Sequence, residues 1–318
     1  MEFMPIFQRM VELFFIILVG YIIAKLKIMN TDGKKSLSKL VLNITMPCTI
    51  LSSVLASDNL PEADRILQLL FIAFLSYIPL WILGILTPKV LGLKGSKHGI
   101  ASFAILFGNV GFIGYPVTQA IYGNEALFYT SVFNMPFNLL CYSLGVYMLK
   151  KHNDTGEDVR FQFHLKNLIT PALIESLLAI LIALTKIRLP EVICSPISLI
   201  GAITTPAALM IIGITLSEMK FREMFQNAKA YLFTIICVII SPLVTYLLFA
   251  PFTSGLTLRI AVILAAMPVA TSGTMLCLEY KSDENFMAQI TFLTTLFTII
   301  TIPAIAVIME KGESLFPF

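Results

Sequence analysis

Apolar and polar positions alternate along this chain in long blocks rather than residue by residue. Runs of about twenty apolar residues are separated by short stretches that hold most of the charge. A helix of about 20 residues crosses a ~30 Å hydrocarbon core. On that rule the pattern predicts ten membrane-crossing segments, at 5–26, 34–56, 66–90, 97–121, 124–149, 165–186, 192–217, 227–250, 257–279 and 284–309. Two of them are interrupted. The fourth contains Gly108-Asn109-Val110-Gly111-Phe112-Ile113-Gly114-Tyr115-Pro116, and the ninth contains Met267-Pro268-Val269-Ala270-Thr271-Ser272-Gly273. Glycine, proline and asparagine at this density disfavour a continuous helix. In lipid, freed backbone amides survive only inside protein or beside a wet cavity. Two interrupted segments in corresponding places are a pointer to a secondary transporter and its binding site.

Composition agrees with the segments. The chain is 57% hydrophobic and only 13% charged, with a mean hydropathy of +0.87, where a soluble domain is about one quarter charged. A net charge of +3 without a basic cluster gives no case for nucleic acid. The five cysteines (Cys48, Cys141, Cys194, Cys237, Cys277) are scattered without metal-ligand spacing. His98, His152 and His164 fall in loops, so no metal site and no cofactor are expected. The first apolar run ends at Lys25 without a small-x-small cleavage pattern and is expected to stay in the protein. An intramembrane hydrolase needs a nucleophile with a base, or a metal cluster. No histidine or aspartate lies in the interior of a segment, His98 standing at the very edge of the fourth, so the chain does not read as an enzyme.

Lysine and arginine sort by side. Counting alternate loops, 16 of the 22 fall on one side, among them Lys25, Lys34, Lys97, Lys150 and Lys229. The positive-inside rule places that side in the cytoplasm. Both termini are then outside, the loop 150–164 is cytoplasmic, and the expected location is the plasma (inner) membrane. Half of 318 residues is 159, and that offset brings Thr45 onto Thr204, Pro47 onto Pro206, Gly114 onto Gly273 and Glu125 onto Glu284. Each half holds five segments, an odd number, so the second half must enter the membrane upside down. The expected organisation is a first five-helix repeat at 1–149, a short cytoplasmic loop at 150–164 and a second, inverted repeat at 165–318.

The motifs Asn109-x4-Gly114-x-Pro116 followed by Tyr122-Gly123, and Ala265-Ala266-Met267-Pro268 followed by Glu279-Tyr280, resemble those of the auxin efflux carrier family. That family includes bacterial permeases and the plant PIN-FORMED carriers. Leu42-Asn43-Ile44-Thr45-Met46-Pro47 resembles its second helix, and Ile203-Thr204-Thr205-Pro206-Ala207-Ala208-Leu209 through Gly213 its seventh. The resemblance runs over essentially the whole chain. It implies an all-α polytopic protein of ten helices in two inverted five-helix repeats, with helices 4 and 9 broken and crossing, as in bile-acid symporters and sodium/proton antiporters. It also implies a scaffold of helices 1, 2, 6 and 7, a mobile part of helices 3–5 and 8–10, organic anions as substrates, and a homodimer as the assembly to test. Plant carriers have a proline where this chain has Gly108, and many have a long central loop that is absent here. Both departures favour a microbial permease.

The chemistry expected at the breaks is anion binding. A helix break exposes N–H groups at the start of the following half-helix, where the dipole also favours a carboxylate. Gly108 and Gly114 flank the first break. Asn109 adds an amide, and Thr271 and Ser272 add hydroxyls on the opposite half. Pro268 removes a donor and should free the carbonyl four residues earlier. Gly111 and Gly273 are expected to let the broken segments cross closely. Pro47, Pro116 and Pro206 are either kinks or gating positions. Asn43, Asn134 and Asn138 either bond neighbouring helices or face the transport path. Glu175 and Glu12 lie inside segments, where carboxyls usually face a cavity or stay neutral. Either could serve coupling or orient substrate. Two other functions fit the same pattern, a sodium-coupled organic-anion symporter and a non-transporting membrane sensor.

Overall fold

A computed structural model describes residues 3–57, 61–152 and 170–315. Among them every regular element is helical, apart from one isolated antiparallel bridge. The helices are α1 (Phe3–Lys25), α2 (Thr31–Leu55), α3 (Ala63–Val90), α4 (Ser96–Leu106), α5 (110–122), α6 (Glu125–Lys151), α7 (Pro171–Thr185), α8 (Glu191–Ser217), α9 (Phe221–Met224), α10 (Ala228–Phe249), α11 (Gly255–Ala265), α12 (Ser272–Glu279) and α13 (Glu284–Leu315). Among the described residues seven helices (α1, α2, α3, α6, α8, α10 and α13) are long and apolar enough to cross a membrane. The described residues are those of a helical, polytopic membrane protein. Most of the central loop 150–164, with His164 and the start of the segment expected at 165–186, lies outside the described residues.

Local sequence explains where helices start. Asn30, Thr170, Asn227 and Asp283 each precede a helix, and their side-chain oxygens accept from Gly33, Leu173, Lys229 and Phe286 N–H at 2.8, 3.1, 3.1 and 2.9 Å. These are residue types that satisfy the unpaired donors of a first turn. Proline explains three wide π-turns, at Val41–Thr45, Val110–Gly114 and Ile236–Ile240, each ending two residues before Pro47, Pro116 or Pro242. A proline ring collides with the carbonyl four residues back, and a turn of i→i−5 bonds makes the room.

Packing between helices relies on close backbone approach. α1 lies along the second half of α8. A Cβ on Gly213 would overlap the Ile17 carbonyl oxygen, and one on Gly20 would overlap Met210 backbone. Small residues at such crossings let helices gain contact where apolar lipid gives no driving force. Two apolar clusters divide the interior. One joins α1, α2, α5, α7, α8 and α11 with Ile66–Ala73 of α3 and Ala126–Phe133 of α6. The other joins α4, α10 and α12 with Cys141–Leu149 of α6 and Phe286–Leu293 of α13. The halves of each broken segment thus belong to different clusters, with α4 beside α12 and α5 beside α11.

The lysine-rich loops gather at one end. Lys25 Nζ donates to Ser217 O at 3.0 Å, Lys229 Nζ to Gly92 O at 2.8 Å, and Lys34 pairs with Glu218. Lys97 pairs with Asp283 at 3.7 Å, and Lys150 lies 4.6 Å from the centroid of the Tyr280 ring. His98 and His152 stack with ring centroids 4.2 Å apart at this end. Burial, the neighbouring His98 and Lys151 hold the His152 imidazole below its ordinary value.

Candidate functional site

The two interrupted stretches meet. Asn109 N–H donates to Pro268 O at 2.7 Å, and Ala270 N–H donates to Phe107 O at 3.1 Å. These bonds make the antiparallel bridge between Gly108 and Val269. Val269 N–H, pointing the other way, donates to Thr294 Oγ1 of α13 at 3.1 Å. Three amides freed by the breaks are thereby satisfied inside protein, as burial demands. α4 and α11 have 11 residues each. At about 1.5 Å per residue each reaches about 16 Å, half of a ~30 Å hydrocarbon core. Each alone is therefore too short to cross such a core.

Asn109 is the central side chain. It is 3% exposed, and its Oδ1 accepts from Phe112 N–H at 3.2 Å as the cap of α5. That fixes the other half of the amide: Nδ2 is buried and has no partner. The Asn109 backbone carbonyl accepts from both Ile113 and Gly114 N–H, at 3.1 and 2.9 Å. The N-termini of α5 and α12 both start at the breaks, with Thr271 and Ser272 half-buried at the start of α12. The carbonyl ends of α4 and α11 face the same region, so it holds donors and acceptors together.

Two expectations about the backbone are corrected. Gly111 does not mediate the crossing, because a Cβ there would meet nothing within 4 Å. The close approaches are at Gly108, whose Cβ would sit 3.2 Å from Met267 Cβ, and Gly114, 3.2 Å from Leu264 Cδ2. Gly111 instead faces open space beside Asn109. Gly273 is close-packed, but against Met287 and Phe103 rather than the first break. The carbonyl that Pro268 should free, Leu264 O, is taken by Met267 N–H at 3.2 Å, because the helix tightens in its last turn. A cavity of ≈ 30 Å³ touches Gly108, Ser76, Tyr77 and Met267. It has room for a water or two and not for an organic acid.

The chain matches the family described as membrane transport protein over residues 5–306. It belongs to that family, the auxin efflux carriers. It is similar to an uncharacterised transporter of Methanothermobacter thermautotrophicus, 26% identical over 97% of this chain and 100% of that protein. It is also similar to uncharacterised transporters of Methanocaldococcus jannaschii (27% identical, 90% of this chain and 93% of that one) and Escherichia coli K12 (25%, 84% and 85%). The protein is a membrane transporter of this family and not an enzyme.

The other singled-out residues of this auxin efflux carrier family member separate into those near the breaks and those away from them. Pro116 is buried in α5 just beyond the first break. Pro47 and Pro206 lie in α2 and α8, where Thr49 Oγ1 is 2.7 Å from both Gly201 O and Thr204 Oγ1. Thr205 Oγ1 of α8 is 3.2 Å from Gln119 Oε1 of α5, which ties this region to the first broken segment. Asn138 is buried, and its Nδ2 donates to Asn134 O at 3.0 Å on its own helix. Asn43 is exposed and donates to Lys39 O at 2.7 Å, so it is not brought to the breaks. Glu12 is exposed and paired with Arg9 at 3.1 Å. Glu175 is 1% exposed. Sequence reasoning missed Thr294, since one threonine in a threonine-rich helix carries no pattern of its own.

Proposed function

We propose that this protein is a secondary-active carrier of a small organic anion, such as a dicarboxylate or another weak acid, working by elevator-type alternating access. The observation that carries the reading is the buried Asn109 amide, held with its donor free at the junction of two bonded helix breaks. The substrate carboxylate accepts from Asn109 Nδ2 and from the α5 and α12 N-termini, with Thr271 and Ser272 beside it. Gly111 leaves the space. Glu175 serves coupling.

The architecture that goes with this reading is ten spans in two inverted repeats, 1–149 and 165–318, with 150–164 in the cytoplasm and both termini outside. Its support is the 159-residue offset applied to helix bounds. Ser96–Leu106 falls on Gly255–Ala265 at both ends, and the start of α6, Glu125, falls on Glu284 of α13. The turn at Ser76–Tyr77 falls on the π-turn that starts at Ile236. The lysine contacts at one end support a single cytoplasmic face.

The test is substrate-induced current and isotope uptake in proteoliposomes, with malate, malonate, succinate, lactate and indole-3-acetate, each with and without sodium and a pH gradient. Saturable flux of one acid, lost in Asn109→Ala, is the expected result. Binding without flux in any condition makes the protein a sensor. Flux that requires sodium makes it a symporter.

A further inference from the structure

Glu175 stands apart from every other carboxylate on the described residues that this fold buries. It sits on α7, 1% exposed, and neither carboxylate oxygen has a hydrogen-bond partner. α7 packs against α2 and against the first half of α6. Across 41–55, 110–121, 126–149 and 171–185, Glu175 is the only Lys, Arg, His, Asp or Glu. These stretches therefore supply no counter-charge. The titratable groups on the same stretches are Cys48, Tyr115, Tyr129, Cys141, Tyr142 and Tyr147.

Ser176, next in sequence to Glu175, donates to Ser131 O of α6 at 3.0 Å, and two more unsatisfied oxygens lie on the helices at this level. The Tyr115 hydroxyl of α5, on a residue 1% exposed, is within electrostatic reach of Glu175. It lies beside the Asn134 side chain of α6 without reaching hydrogen-bond geometry. Asn134 is 4% exposed, and its Oδ1 has no partner. A carboxylate, a phenol oxygen and an amide oxygen are hard ligands without a donor among them that is already committed. Buried polar atoms of this kind are ordinarily paired, and a cluster of unpaired ones marks a missing occupant.

We propose that Glu175, Tyr115 and Asn134 bind and release one small monovalent cation, which while bound neutralises the carboxylate at the seam between α7 and the α5–α6 pair. A proton and a sodium ion share that chemistry. The family resemblance implies that α7 belongs to a scaffold and α5–α6 to a mobile part, and on that division loading the site couples to their relative position. That consequence rests on the carrier reading above; the site itself does not.

The test uses purified full-length protein and no substrate. Dicyclohexylcarbodiimide adds to a neutral carboxyl: the carboxyl oxygen bonds the central carbon and the carboxyl proton moves to nitrogen. Labelling of Glu175 is read by mass spectrometry, with Glu175→Gln as the blank. If the occupant is a proton, labelling falls along a single titration as pH rises and ignores replacement of choline by sodium. If it is sodium, sodium protects at constant pH and ionic strength. Tyr115→Phe and Asn134→Leu each weaken the cation's hold by about fivefold, the worth of one lost contact. Labelling that is constant from about pH 5 to about pH 9 and indifferent to sodium overturns the proposal, since the carboxyl is then permanently neutral. If the reagent does not reach Glu175, the infrared difference between wild type and Glu175→Gln after an acid or sodium jump decides. A missing carboxyl band there overturns it equally. Failure of the flux panel leaves these readouts untouched, so the two readings fail separately.

Discussion

Substituting Asn109 separates two roles that the structure gives to one amide. Its Oδ1 caps α5 by accepting from Phe112 N–H, and its Nδ2 is the unpartnered donor. Loss of a cap costs about 1 kcal/mol of stability. Loss of a hydrogen bond to a charged group costs about 1.5–3 kcal/mol, which is about a 10- to 140-fold weaker Kd. Asn109→Ala loses both. Asn109→Ser keeps a good capping residue but its hydroxyl is too short to replace the amide. Asn109→Asp keeps the cap and turns a carboxylate oxygen toward an anion. The expected order is therefore a lower Tm for Ala alone, and lost affinity for all three, most severely for Asp. The assay is thermal unfolding in detergent beside uptake kinetics in proteoliposomes for whichever acid the panel finds. If Asn109→Ala lowers Tm but leaves apparent affinity within about twofold, well short of one charged hydrogen bond, Asn109 is only a cap. The carboxylate cradle is then refuted.

Other substitutions probe the frame around that site. Gly213→Ala puts a Cβ onto the Ile17 carbonyl and 2.6 Å from Tyr21 N, both backbone, so α1 and α8 must part. Overpacking of this sort costs about 1–3 kcal/mol, read as a lower Tm, whereas Gly111→Ala in open space should leave Tm unchanged. Thr294→Val keeps the shape but strands Val269 N–H in the interior, at about 1–3 kcal/mol. Faster hydrogen exchange at Val269, reversed in Thr294→Ser, checks it. His152 in the folded protein holds its proton less tightly than an exposed histidine, through burial and the neighbouring His98 and Lys151. The unfolded chain then gains the proton first as pH falls through about 6.5, so stability starts to drop below about pH 7.5 and keeps falling until the folded imidazole is protonated too. The difference between wild type and His152→Gln across that window isolates this group from Glu175.

Much of the outline was legible because it rests on short-range chemistry. Apolar runs long enough to cross a bilayer, capping residues before helices, and glycine, proline and asparagine at two breaks are properties of neighbouring residues, and the helices and interruptions lie where those signals stand. The lysine asymmetry was legible too, and the contacts of Lys25, Lys34, Lys97 and Lys229 bring those loops together. The tertiary structure alone decided which polar residues share a site. Glu12 and Glu175 both sit in apolar text, yet one is an exposed ion pair and the other is sealed. Asn43 turns back on its own helix, while Asn109 meets a carbonyl 159 positions away. The physical reason is the solvent. In a bilayer both the lipid-facing and the buried side of a helix are apolar, so the periodicity that marks the inner face of a soluble helix is faint. Helix existence survives that loss. The face each helix buries, the glycine that another backbone touches, and the threonine that receives a freed amide are set only when distant segments pack.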